Sequence, residues 1–180
     1  MQDYDKSNRS TILAEAIRPF LRMGDSVLDI GCGYAAHPKF QGTILPRLLG
    51  GVSYHGIDHR EDVIAECRNM YPGDEWTVID AALFVAGKNY DAVFHLGFDR
   101  KDLSNAWKVH HTLLESFPPR IVLLEAGSPV GALSKHLESF AEVQGIYIVH
   151  GYELKAKGRY TWTYKVTQPD RRYAILERGK

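Results

Sequence analysis

The sequence predicts an α/β protein of three layers: a doubly wound, mostly parallel sheet with helices on both faces and an antiparallel strand pair towards the C-terminus. Three observations carry this. Strand-length hydrophobic segments alternate with helical patterns between residues 10 and 142, as expected of parallel strands joined by crossover helices. A glycine-rich turn, Gly31-Cys32-Gly33, directly follows the first of these strands. Beyond residue 145 the strand-like segments succeed one another without helices between them, which predicts antiparallel pairing.

The elements follow in order. An opening helix is expected over residues 10–23, where Ile12, Leu13, Ala16, Ile17, Phe20 and Leu21 recur at helical spacing and Gly24-Asp25 ends the pattern. Strands are expected at 26–30, 52–57, 75–79, 90–96 and 120–125, the last opened by the breaker Pro118-Pro119. Helices are expected at 42–49, 60–70, 101–117 and 130–142. Three further strands, 145–154, 159–167 and 171–177, are separated by the turn signals Lys157-Gly158 and Gln168-Pro169-Asp170. The chain is thus expected to form one domain over 1–180, with an N-terminal segment and helix (1–23), a cofactor-binding α/β core (24–142) and C-terminal antiparallel strands (143–180).

Composition narrows the partners. Lys and Arg number 22 and Asp and Glu number 22, a net charge of zero, which weighs against a protein built to neutralise many phosphates. The C-terminal stretch is locally basic, with eight basic residues against three acidic ones over 153–180; this reads as a solvated edge or as steering of an anionic substrate. Cys32 and Cys67 are too few for a disulfide framework or a thiolate metal site. The polar start and the absence of any apolar run near ~20 residues predict a cytoplasmic, reduced protein without a membrane partner.

Three carboxylates define the candidate cofactor site. Asp29 closes the first strand in Val27-Leu28-Asp29-Ile30-Gly31-Cys32-Gly33. The glycines alone, spaced Gly31-x-Gly33-x-x-Ala36, also fit a dinucleotide turn. A carboxylate this close to the turn repels a pyrophosphate but suits an ammonium and a sulfonium, so its charge favours S-adenosylmethionine. Asp58 ends the second strand, where an acidic side chain can accept both ribose hydroxyls, and this feature is shared with NAD-dependent dehydrogenases. Asp80 ends the third, followed by the small apolar Ala81 and Ala82 beside which an adenine can lie. Each acid taken singly also fits a helix N-cap.

Together these segments resemble the motifs of the class I, Rossmann-like S-adenosylmethionine-dependent methyltransferases over residues 10–142. The resemblance implies a seven-stranded sheet whose last strand inserts antiparallel. It implies that Asp29, Gly31 and Gly33 hold the methionine end of the cofactor, Asp58 with its neighbour His59 the ribose, and Asp80 with Ala81 the adenine. His95 and Leu96, ending the fourth strand, then lie beside the methyl group. Cys32 is a common occupant of its motif position and is given no catalytic role.

Methyl transfer to a nucleophile is an in-line displacement, so a base is needed only where the acceptor must lose a proton. His95 is the candidate base, with a hydrogen-bonded structural role as the equal alternative. Asp99 is the second candidate catalytic residue, or else caps the helix near Lys101. No metal site is expected: Asp99 and Glu125 alone are weak as a ligand set. His110 falls on the apolar stripe of its helix and reads as a core histidine, with His111 pointing away from it. His37 and Tyr34 follow the glycine turn and read as surface-loop residues that can border the methyl group. The alternating Tyr160, Trp162 and Tyr164 give an aromatic strand face, read as sheet cover or a homodimer contact ahead of a substrate wall.

After the fourth strand the chain reads Phe94-His95-Leu96-Gly97-Phe98-Asp99, without the Asn/Asp-Pro-Pro-aromatic motif that grips a flipped base in amino methyltransferases of nucleic acids. The functional expectation is therefore methyl transfer from S-adenosylmethionine to a small-molecule acceptor. Alternatives are a tRNA or rRNA methyltransferase, a non-catalytic S-adenosylmethionine-binding module acting through a partner and, more remotely, an NAD-dependent dehydrogenase.

Overall fold

A computed structural model describes residues 7–33, 45–96, 103–127, 133–161 and 170–179. The chain runs α1 (Ser7–Ile17), a 3-10 turn (Arg18–Phe20), β1 (Ser26–Ile30), α2 (Leu45–Leu49), β2 (Ser53–Asp58), α3 (Glu61–Met70) and β3 (Glu75–Val78). A second 3-10 turn (Ala81–Leu83), β4 (Ala92–Leu96), α4 (Leu103–Ser116), β5 (Ile121–Gly127), α5 (Leu133–Val149), β6 (Tyr152–Thr161) and β7 (Asp170–Arg178) follow. The strands form one seven-stranded sheet in the order β3-β2-β1-β4-β5-β7-β6. β1 to β5 are parallel to one another, and β7 enters antiparallel between β5 and β6. No helix of the described residues is long and apolar enough to cross a membrane.

The three layers follow from the pleat. Alternate residues of each central strand face opposite sides, and both sides are apolar, as expected where helices cover both faces. On one face Val27, Ala92, Phe94, Ile121 and Leu123 pack under Leu13 and Ile17 of α1, Leu45 of α2 and Ile64 of α3. On the other, Leu28, Ile30 and Val93 pack under Val109 and Leu113 of α4, while Val122, Leu124 and Ala174 pack under Val143 and Tyr147 of α5. The strand order reverses between β1 and β4, and the crevice at that switch point is where open α/β sheets bind ligands.

The structure corrects several expected boundaries. The opening helix ends at Ile17 and gives way to a 3-10 turn at Pro19, whose missing N–H cannot serve an α-helix interior. The first half of the strand expected over 145–154 is helix: α5 continues to Val149 and β6 begins only at Tyr152. The run Ile146-Tyr147-Ile148-Val149 has strand propensity, but Phe140, Val143 and Tyr147 lie on one helical face and are buried against the sheet, so packing overrides propensity. Gly151, at φ +83°, turns the chain out of the helix as only glycine does readily. The C-terminal region therefore begins with helix, not strand.

Lys157-Gly158 is not a turn but lies inside β6. Gly158 pairs with Tyr173 across the ladder, and a β-carbon there would meet the Tyr173 ring at 2.3 Å. The glycine makes room for a ring and does not mark a bend. Gly56 in β2 is under the same constraint, because an added β-carbon would lie 2.4 Å from the Trp76 ring and 3.0 Å from Cys32 Sγ. Gly56→Ala is expected to lower stability by about 1–3 kcal/mol, measured by urea unfolding.

Candidate cofactor and active site

The turn after β1 is built by two glycines in the left-handed region, Gly31 at φ +65° and Gly33 at φ +52°. A hydrogen bond invisible in the sequence pins it: the Gly33 N–H donates to Asp58 Oδ2 at 2.9 Å. Asp58 also accepts from the backbone N–H of Arg60 (3.0 Å) and from its guanidinium (3.1 and 3.3 Å). Burial opposes ionisation of Asp58, but the Arg60 bonds and charge and the Gly33 N–H outweigh it and hold the carboxyl below its ordinary range. Arg60 is a site residue that sequence reasoning missed. An arginine two positions after an acid carries no signal until the turn folds its side chain back.

Next to this turn lies an open cavity of about 180 Å³. Its apolar part comes from Ile30, Ile57, Ile79 and Val109, and its polar part from Gly31, Asp58, His59, Asp80 and His95, with Ala81 beside them. The structure thus brings together six of the residues singled out from the sequence. His59 is exposed, with Nδ1 3.6 Å from Asp58 Oδ1. Asp80 Oδ1 accepts from the Ala82 N–H at 2.9 Å, so it caps the 3-10 turn while also lining the cavity.

Two further candidates stand apart. The Leu96 side chain packs with the core on the α1 side of the sheet. Asp29 is 1% exposed, on the opposite face of β1 from the cavity residue Ile30, where the Tyr54 hydroxyl donates to its Oδ2. Its Oδ1 is buried with no hydrogen-bond partner among the described residues. Burial pushes the Asp29 carboxyl up to about 7, with the Tyr54 bond and the charge of Arg9 acting against that rise. Asp99 lies outside the described residues, as do Tyr34, His37, Trp162 and Tyr164. Cys32 is buried against Cys67, whose contact, together with burial, pushes its thiol up and away from nucleophilic use.

On the α1 side, Glu125 at the end of β5 is fully buried and receives a dense set of donors. Arg9 of α1 binds it through two nitrogens (3.0 and 2.7 Å), Arg171 of β7 contacts both oxygens (2.8 and 2.9 Å), and the Tyr160 hydroxyl donates to Oε1. Burial opposes its charge, but the two guanidinium groups win and hold it at about 2. Tyr160 thereby serves this ion cluster, which the alternating aromatic pattern did not disclose.

On the cavity side, His95 and His110 are joined. His95 Nδ1 lies 2.9 Å from His110 Nε2, and His110 Nδ1 lies 2.7 Å from the Tyr147 hydroxyl. Burial lowers His95 to about 4 and holds His110 well below its ordinary range, which favours the neutral imidazole at both positions. His110 is buried as expected, but as a bridge between β4 and α5 and not as an inert packing residue.

No family model matches the chain, and neither does any curated protein. Solved structures do match. The N-methyltransferase NodS of Bradyrhizobium japonicum, in complex with S-adenosyl-L-homocysteine, superposes with a TM-score of 0.71 at 12% identity, covering 99% of this chain and 90% of NodS. The magnesium protoporphyrin IX methyltransferase ChlM of Synechocystis, with bound S-adenosylmethionine, gives 0.63 at 17% identity, covering 97% and 79%. The [4+2]-cyclase SpnF gives 0.66 at 13% identity, covering 96% and 81%. At these identities the likeness is one of fold, and with its antiparallel β7 between β5 and β6 that fold is the one of the class I S-adenosylmethionine-dependent methyltransferases.

Proposed function

We propose that this chain is one unit that binds S-adenosylmethionine and transfers its methyl group to a small-molecule acceptor. The observation that carries the reading is Asp29 Oδ1, a buried carboxylate oxygen beside the glycine turn that has no hydrogen-bond partner among the described residues. Such an orphan is costly unless a ligand satisfies it, and a cationic donor suits it best. The ammonium of S-adenosylmethionine is such a donor, whereas a pyrophosphate is not. In this reading Gly31 and Gly33 let the backbone approach the cofactor, Asp58 accepts from the ribose, and Asp80 and Ala81 border the adenine. The bound cofactor supplies a methyl carbon already activated by the sulfonium. The chain's own residues then orient the acceptor and exclude water, with His95 at the cavity wall.

A small acceptor is favoured over RNA by the neutral net charge and by how the C-terminal cations are used. Arg171 is engaged by Glu125, and Lys155 by Glu153. Calorimetry is expected to show S-adenosylhomocysteine binding with an affinity about 100-fold above that of NAD. Equal affinities, or NAD alone, would remove the reading. Labelled methyl groups are then expected in the small-molecule fraction of a cell extract.

A second reading, supported by the fact that the [4+2]-cyclase SpnF has this fold, is a non-catalytic S-adenosylmethionine-binding module acting through a partner. Cofactor binding with no label in any fraction would favour it. Label in RNA, with RNA binding that weakens steeply with salt, would favour the RNA alternative.

A further inference from the structure

We propose that a buried hydrogen-bond chain from Tyr147 through His110 fixes His95 in the tautomer that carries its proton on Nε2, so that His95 meets the cavity as a neutral hydrogen-bond donor and not as a general base. The placement on three elements is a product of the fold. His95 sits on β4 in register with Ile30 and Leu124, on the face covered by α4 and α5. His110 of α4 and Tyr147 of α5 are both fully buried, and His95 is 8% exposed. The His95 and His110 rings lie 5.1 Å apart between centroids, with planes 25° apart. At an N···N distance of 2.9 Å, that separation leaves both nitrogens near the line joining the ring centres.

The direction of the chain is set at its far end. A phenol has a single proton, and among the described residues His110 Nδ1 is the one hydrogen-bond partner of the Tyr147 hydroxyl. Were Tyr147 to accept there, its O–H would be buried without an acceptor, at a cost of about 1–3 kcal/mol. Tyr147 therefore donates, and His110 Nδ1 carries no proton. A neutral imidazole then bears its proton on Nε2, which donates to His95 Nδ1. The same rule applied once more places the His95 proton on Nε2, the nitrogen outside the chain. The opposite polarity would leave a lone pair there and make His95 a base.

The consequence for chemistry rests on the methyltransferase reading. A donor at the cavity wall suits an acceptor that presents a lone pair needing no deprotonation by His95, an oxyanion in particular. Tyr147 and His110 are then positioning residues, acting through His95.

The test is nitrogen-15 NMR of the histidine side chains in the intact protein at pH 7, with His95→Gln and His110→Gln used only for assignment. Both imidazoles are expected to be neutral, with a protonated-type shift at Nε2 and an unprotonated-type shift at Nδ1. A protonated Nδ1 on His95, or a charged imidazole at either position, would overturn the proposal. Tyr147→Phe removes the donor that gives the chain its direction, so the His110 and His95 shifts are expected to move towards a mixture of tautomers. Unchanged shifts in a folded Tyr147→Phe protein would show that Tyr147 does not set the tautomer. If that variant does not fold, the parent protein's own spectrum still decides the polarity. The measurement needs neither acceptor nor turnover, so it fails independently of the proposed function.

Discussion

Glu125→Gln is expected to destabilise the protein by about 3 kcal/mol at pH 7, because it leaves the Arg9 and Arg171 guanidinium groups facing a neutral amide in a buried setting. Three elements meet at this carboxylate: α1 through Arg9, β7 through Arg171 and β6 through Tyr160, all held to the end of β5. The pH dependence has a definite sign. The folded carboxyl titrates at about 2, below its ordinary 4.5, so its contribution is present above about pH 4.5 and is lost as pH falls towards 2. Urea unfolding of the parent protein is expected to lose about 3 kcal/mol over that interval, and the Gln variant is expected to lose far less. Equal midpoints for the two proteins at pH 7 would mean that the arginines find water once the charge is gone.

Asp29→Asn is expected to separate stability from binding. The folded Asp29 carboxyl is raised to about 7 from an ordinary 3.8, so folding favours its neutral form. That contribution is full below about pH 4 and is lost as pH rises through 7, which makes the ionised group a burden on the ligand-free protein at pH 8. The Asn variant carries no such burden and is expected to match or exceed the parent in thermal midpoint at pH 8. Its affinity for S-adenosylhomocysteine is expected to fall about 10–100-fold, the loss of one charge-assisted hydrogen bond. In the parent, binding a cation favours the ionised carboxylate, so affinity should climb by about tenfold per pH unit up to pH 7 and then level off. The Asn variant is expected to show a flat profile. Calorimetry across pH 5.5–8 checks both, and an undiminished affinity in the variant would remove Asp29 from the cofactor site.

Local patterning went far with this chain because both cores are built from regular periods. Alternation and apolar runs located β1 to β5, since parallel strands covered on both faces have to be apolar throughout. The same logic misplaced the start of β6. Ile146 to Val149 read as strand, and burial of Tyr147 against β5 and β7 holds them in helix instead. Gly158 shows the limit from another side, because its reason for being glycine is a ring on the neighbouring strand.

At the site, the sequence by itself determined the glycine turn and the acids closing the first two strands, with Asp80 just past the third, because those positions lie at fixed offsets from strand ends and hydrophobic periodicity reveals where strands end. Only the tertiary structure decided what each acid does. Asp58 is tied to Gly33 and Arg60, Asp80 caps a turn, and Asp29 keeps one buried oxygen, on the far side of β1, without a partner among the described residues. The fold likewise made one chain of His95, His110 and Tyr147, which are 15 and 37 residues apart along the sequence. The physical reason is range. Periodicity records which face of its own element a residue occupies, whereas hydrogen bonds and desolvation depend on which other element is packed against that face.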